Sequence, residues 1–166
     1  MSWRNLIFVA AASLTLAACG FKPLYGEQST TAGASGPLAV EVALIPNREG
    51  QVMRSVLRRR FAGAAVANYR LDVALAQASA VTAIDAAGDV TRRRLTMTAG
   101  WRLSPLAPSA PKPLDGRVRV VEAYNILASD YANYTAESAA RERAAARLAE
   151  LIAEAASARA IAAGWR

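Results

Sequence analysis

The sequence predicts an α+β fold, a two-layer sandwich in which a mainly antiparallel sheet of about four strands carries two helices on one face. Three observations lead there. Between Leu38 and Ile126, several stretches alternate apolar with polar residues, the period of half-buried strands. One stretch ending near residue 65 and another beginning near residue 136 instead repeat their apolar residues at helical spacing. Proline and glycine fall between these stretches, at Pro46, at 86–89 and at 105–113.

Taken in order, Leu38, Val40, Val42 and Leu44 alternate with smaller or charged residues, giving a first strand that ends at Pro46-Asn47. A helix over about 49–65 follows. Val52, Met53, Val56, Leu57 and Phe61 share a broad face with Arg54, Arg58 and Arg59 mostly off it, while Arg60 falls inside the face and must snorkel or mark its fraying end. Tyr69, Leu71, Val73 and Leu75 alternate with Arg70, Asp72, Ala74 and Ala76 in a second strand. Residues 80–85 are a third short strand or an extension of the second, and Ala-Ala-Gly-Asp at 86–89 is a hairpin turn.

The next strand is the clearest. Leu95, Met97, Ala99, Trp101 and Leu103 point one way; Arg92, Arg94, Thr96, Thr98, Gly100 and Arg102 point the other. The prolines at 105, 108, 111 and 113 then enforce an extended loop that no strand interior could contain. After Gly116 a last strand runs to about Ile126 through Val118, Val120 and Tyr124. Glu122 shares their face, so either that face is not fully buried or a bulge resets the register. A helix over roughly 136–163, capped by Thr135 or Asp130, closes the domain with Ala144, Leu148, Leu151, Ile152 and Ala155 as its apolar stripe. Its alanine content favours helix but offers little volume to bury.

Composition narrows the function. The chain has no histidine and one cysteine, which removes Ser-His-Asp and Cys-His catalysis, His-ligated metal and any intrachain disulfide. No carboxylate pair stands out, so the chain reads as a non-enzyme with neither metal nor cofactor. Its formal charge of +7 favours an anionic partner. Nucleic acid is disfavoured, because the arginines are interspersed with Ala and Val rather than with stacking aromatics. Excess arginine also serves simply to keep an alanine-rich chain soluble.

The N-terminus supplies an address. Arg4 and an apolar run from Leu6 to Leu16 form a signal peptide, too short for a spanning helix of roughly 20 apolar residues. Leu16-Ala17-Ala18-Cys19 resembles the bacterial lipobox, in which the thiol receives a diacylglycerol and the signal is cut just before the cysteine. Residues 1–18 are then removed, 19–37 are a lipid anchor (acyl chains such as palmitate) and a flexible tether rich in Ser, Thr and Gly, and 38–166 are a single α+β domain.

Cys19-Gly20-Phe21-Lys22-Pro23-Leu24-Tyr25-Gly26 resembles the mature start of the Gram-negative LPS-assembly lipoprotein family LptE, in its alphaproteobacterial form. The element order agrees, as do Tyr124-Asn125 and the segment Ser129-Asp130-Tyr131-Ala132 leading into an Ala- and Arg-rich helix. The resemblance implies a lipid-anchored protein on the periplasmic face of the outer membrane. It implies a plug inside a barrel partner, LptD, the lipopolysaccharide translocon, and a role in inserting lipopolysaccharide.

Beside that, the residues suggest their own site. With both helices on one sheet face, Arg92 and Arg94, with Arg93 or Arg102 as neighbours, look outward toward barrel acids or lipid A phosphates. A solvated strand face that resists edge pairing explains each arginine singly as well. Lys112 adds a basic point in the proline-rich loop. Phe21, Leu24 and Tyr25 suit a barrel wall or lipid interface, and Trp101 suits the core. The competing functions are an accessory lipoprotein of another envelope lipid-transport system, whose sheet would shape an apolar pocket, and last a carboxylate hydrolase.

Overall fold

The computed structural model describes residues 38–62, 66–107 and 111–165. The expected signal peptide, Cys19, the segment 20–26 and the expected tether lie outside the described residues. Within them the chain runs β1 (Val40–Val42), α1 (Asn47–Arg60), β2 (Tyr69–Ile84), β3 (Val90–Pro105), β4 (Leu114–Asn125) and α2 (Asp130–Ala162). The four strands lie side by side in chain order. β2, β3 and β4 are antiparallel neighbours, whereas β1 pairs with β2 in parallel, with α1 as the crossover between them. The expected α+β sandwich is therefore observed, with one parallel pair at an edge.

The core lies between the sheet and the helices. Leu71 on β2 and Leu95, Met97, Ala99, Trp101 and Leu103 on β3 are buried, matching the alternation of their sequence. α2 packs across β4 and β3 and along α1, and α1 also meets β1. α2 buries Ala140, Ala144, Ala145, Leu148, Ala149, Ile152, Ala153, Ala156 and Ala160. Because most of these are alanines, close approach of backbone to sheet replaces side-chain bulk. Met53, Leu57 and Phe61 face this layer from α1, while Arg60 is exposed at the helix end.

Several expectations shift. Leu44 is 77% exposed and Ile45 is buried in its place, because β1 stops at Val42 and the chain loses its two-residue alternation. Ala43 still donates its amide to the Leu71 carbonyl at 3.0 Å before Pro46 and Asn47, the latter at φ 69°, turn the chain into α1. α1 starts two residues earlier than expected and ends at Arg60. Residues 80–85 extend β2, and a register shift between Val81 and Ala83 accounts for the weakened pattern there. The turn that follows is held by Asp85, whose Oδ1 accepts from the amides of Ala87 and Asp89 at 2.9 Å, with Gly88 at φ 91°.

β4 carries no bulge. Its register with β3 is unbroken, and Glu122 stays on the helix face because Arg143 of α2 pairs with it at 3.5 Å. α2 begins at Asp130, six residues earlier than expected. Its cap is Ser129, whose Oγ accepts from the Ala132 amide, rather than Thr135 or Asp130. Thr135 instead donates to the Ala132 carbonyl from inside the first turns.

Candidate functional site

With both helices on one side, the opposite face of β2–β3–β4 is bare among the described residues. Registers fix what it displays. Successive rows across β2, β3 and β4 read Asp72, Arg102, Asp115; Ala74, Gly100, Arg117; Ala76, Thr98, Arg119; Ala78, Thr96, Val121; and Ala80, Arg94, Ala123. Arg92 beside Asn125 ends the series. The strand pleat produces this face from the same alternation that builds the core.

The face is electrostatically divided. At one end Arg102 lies between Asp72 and Asp115, and Arg70 donates to Asp72 at 3.1 Å, so cations are matched there. From the Ala74 row onward the face carries Arg117, Arg119, Arg94 and Arg92 and no acid. All four are exposed, and among the described residues none makes a side-chain hydrogen bond or ion pair. Arg117 and Arg119 sit two positions apart on one strand, roughly 7 Å at strand rise. Arg94 lies about 13 Å further along β3 from the row of Arg119. Between them Ala74, Ala76, Ala78, Gly100, Thr96 and Thr98 make a shelf with no side chain larger than threonine.

Such an arrangement can hold an anion. Each guanidinium presents a planar fork of donors that meets phosphate or carboxylate oxygens in pairs, and stays charged at every physiological pH. The low shelf lets an extended or flat partner reach several forks at once.

The expected arginines divide between settings. Arg92 and Arg94 lie on the bare face with free side chains. Arg102 shares that face but stands about 33 Å from Arg92 along β3, among acids. Arg93 alternates onto the other face, in register with the buried Tyr124 but itself exposed near the hairpin end. The run Arg92-Arg93-Arg94 is thus contiguous only in sequence. Sequence reasoning missed Arg117 and Arg119, although placing Val118 and Val120 inward already sends both arginines out. Trp101 is buried as expected, with the Arg159 guanidinium 5.4 Å from its ring centroid.

A second charged group is structural. Arg141 of α2 bonds Glu137 on its own helix and reaches Glu49 of α1 at 3.5 Å, while Arg48 donates to Glu142 at 2.7 Å, so the network ties the helices together. The hydrogen bond with Glu137 raises the Arg141 pKa, against desolvation, and both carboxylates attract its charge. Stabilisation from a raised arginine pKa is fully present throughout the physiological range and fades only in strong alkali.

Among the described residues no group of three His, Cys, Asp or Glu could hold a metal, and no helix is long and apolar enough to cross a membrane.

The model of the family LptE, described as lipopolysaccharide-assembly, matches residues 38–156. No curated protein matches the chain. A structure described as a candidate lipoprotein of Caulobacter crescentus is similar at 26% identity, with 72% of this chain and 88% of that one covered and a TM-score of 0.55. Rare lipoprotein B from Shewanella oneidensis shares the fold at 11% identity, with 76% and 97% covered and a TM-score of 0.59.

Proposed function

This chain belongs to the LptE family of lipopolysaccharide-assembly proteins, and from that premise we propose that it is an outer-membrane lipoprotein, anchored through Cys19, whose domain plugs the lumen of the LPS translocon barrel LptD. On this reading it catalyses no reaction. It stands on the periplasmic face, helps the barrel assemble, and offers its arginine face to barrel acids or to the phosphates and carboxylates of lipopolysaccharide as they pass.

The observation that carries the reading is the acid-free part of the bare face, where Arg92, Arg94, Arg117 and Arg119 have no partner among the described residues. A barrel lumen is lined by polar groups, so a plug needs a polar, fixed surface where a monomer in solution needs only solubility. Removing long cationic side chains from water is favourable only against oppositely charged, hydrogen-bonding groups. The Caulobacter neighbour's description as a lipoprotein accords with the lipobox at Cys19.

Purification of the tagged full chain under native detergent, followed by mass spectrometry, tests this directly. Recovery of one large outer-membrane barrel in equal amount is expected. Recovery of no barrel defeats the proposal. Cys19→Ser should release the protein from the outer-membrane fraction.

A further inference from the structure

β2 has one paired edge and one open one. β3 accompanies it along its whole length, whereas β1 covers the other side only opposite Tyr69, Arg70 and Leu71. Bonds at that junction show which backbone groups turn to the open side. The Tyr69 amide donates to the Ala39 carbonyl at 3.1 Å, and the Leu71 carbonyl accepts from the Ala43 amide. Alternate residues point the same way, so Val73, Leu75, Gln77, Ser79 and Val81 turn their amides and carbonyls outward. Among the described residues no backbone group meets them there. Open edges of this length are ordinarily blunted by charge, proline or a covering element. From Val73 to Ile84 this one has neither charge nor proline, in a chain that is 20% charged. Alternating amides and carbonyls about 7 Å apart are answered by another extended backbone, and by neither an acyl chain nor a sugar ring.

Two features beside the edge describe the side chains such a backbone would bring. Where β1 stops, Leu44 is 77% exposed, and with Asp72, Ala74, Gly100, Arg102 and Asp115 it borders a shallow recess of about 400 Å³ on the bare face. Gly100 leaves this recess open, with nothing within 4 Å of where its Cβ would stand. An uncovered glycine in a sheet gains from a large, flat side chain on a neighbouring strand. Because Asp72 and Asp115 are already matched by Arg70 and Arg102, the recess suits an apolar group rather than a charged one. Six residues further along β2, about 20 Å away, Ala80 puts only a methyl group between the edge and Arg94. Arg94 has no ion-pair partner among the described residues, so a carboxylate arriving beside Ala80 would match it.

We propose that a loop or terminal segment of the barrel partner adds to the open edge of β2 as a strand of the same sheet. This rests on the reading of a single domain enclosed in a lumen, and names a contact within it. The strand cannot come from the barrel wall, where every strand is already paired on both sides. It spans the edge from Val73 to Val81, and the outward groups of the five alternate residues give about ten hydrogen bonds. On the bare face it carries a large apolar side chain beside Ala74, lying over Gly100, and an acid beside Ala80, facing Arg94. On the helix side it meets Leu75, Gln77 and Ser79 and needs no charge. The uncharged edge, a hazard in open solution, is harmless where one enclosed partner reaches it.

The full chain, free and as its native-detergent complex with the barrel, tests the pairing. Hydrogen exchange should show the amides of Val73, Leu75, Gln77, Ser79 and Val81 at least about tenfold slower in the complex than in the free chain. Photo-reactive benzoylphenylalanine in place of Gln77 should cross-link to one short barrel segment outside the wall strands, containing an acid and a large apolar residue. Gln77→Pro removes an amide that points away from β3, and should lower barrel recovery several-fold while the thermal midpoint holds. If the proline variant fails to fold, exchange and cross-linking decide. A barrel recovered with these amides exchanging as fast as in the free chain, or cross-links confined to wall strands, overturns the proposal and leaves the barrel reading standing. Recovery of no barrel overturns both.

Discussion

Gly116 has no side chain because Trp101 occupies the space one would need. A Cβ built there would lie 2.7 Å from two ring carbons and 2.9 Å from Nε1. Gly50 is confined in the same way beneath Ile45, whose carbonyl oxygen would be 2.6 Å from its Cβ. Gly100, one position before Trp101 on β3, has nothing within 4 Å. Gly116→Val should therefore cost about 2–3 kcal/mol, and Gly100→Ala less than about 0.5 kcal/mol, by guanidinium unfolding followed through tryptophan fluorescence. Trp101 is also held by Arg159, which lies over the ring and donates to the Asp115 carbonyl. Arg159→Ala should lower stability by about 1 kcal/mol.

At the scale of elements, α2 decides how closely the two layers approach. Its inner surface is mostly methyl groups, so one added isobutyl group must push the helix off the sheet. Ala144→Leu, at a fully buried position, should destabilise by about 1–3 kcal/mol in thermal unfolding, while Ala158→Leu on the exposed side should be nearly neutral. Ser129→Ala removes the cap and should cost about 0.5–1 kcal/mol. These elements also show what a sequence makes legible. The alternation of β3 was readable in full because a strand with one buried face must change polarity at every residue. α2's start was not readable, since alanine favours helix on every side and no apolar stripe marks where packing begins; only Ser129 gave the signal. β1 misled from Leu44 onward because three paired residues impose no periodicity on those that follow. The parallel pairing of β1 depends on α1 carrying the chain back across the sheet, a long-range fact that local pattern does not hold.

For the whole molecule, the bare face concentrates cations that composition alone spreads evenly. Half of the site was readable, Arg92 and Arg94 with their shared direction. Arg117 and Arg119 join them only once the β3–β4 register is known. Placement, and not net charge, should then govern anion binding. Arg117→Ser with Arg119→Ser should weaken binding to vesicles carrying anionic phosphate head groups several-fold more than Arg58→Ser with Arg59→Ser, which removes the same charge from α1. Flotation at several salt concentrations would measure it, and the first pair should also flatten the salt dependence.

The β2–β3 hairpin spans about 50 Å at strand rise, and its distal residues from Ala80 to Arg94 have no buried side chain. Such a ribbon keeps two clocks. Amides of β3 between Leu95 and Leu103 can exchange with deuterium only when the layers part, at the pace of global unfolding. Those near the Asp85–Asp89 turn need only a local unzipping from the tip, and should exchange orders of magnitude sooner. The distal ribbon can thus open and re-form many times while the alanine-lined layers beneath it stay shut, which leaves this end of the protein free to adapt its shape without risking the fold.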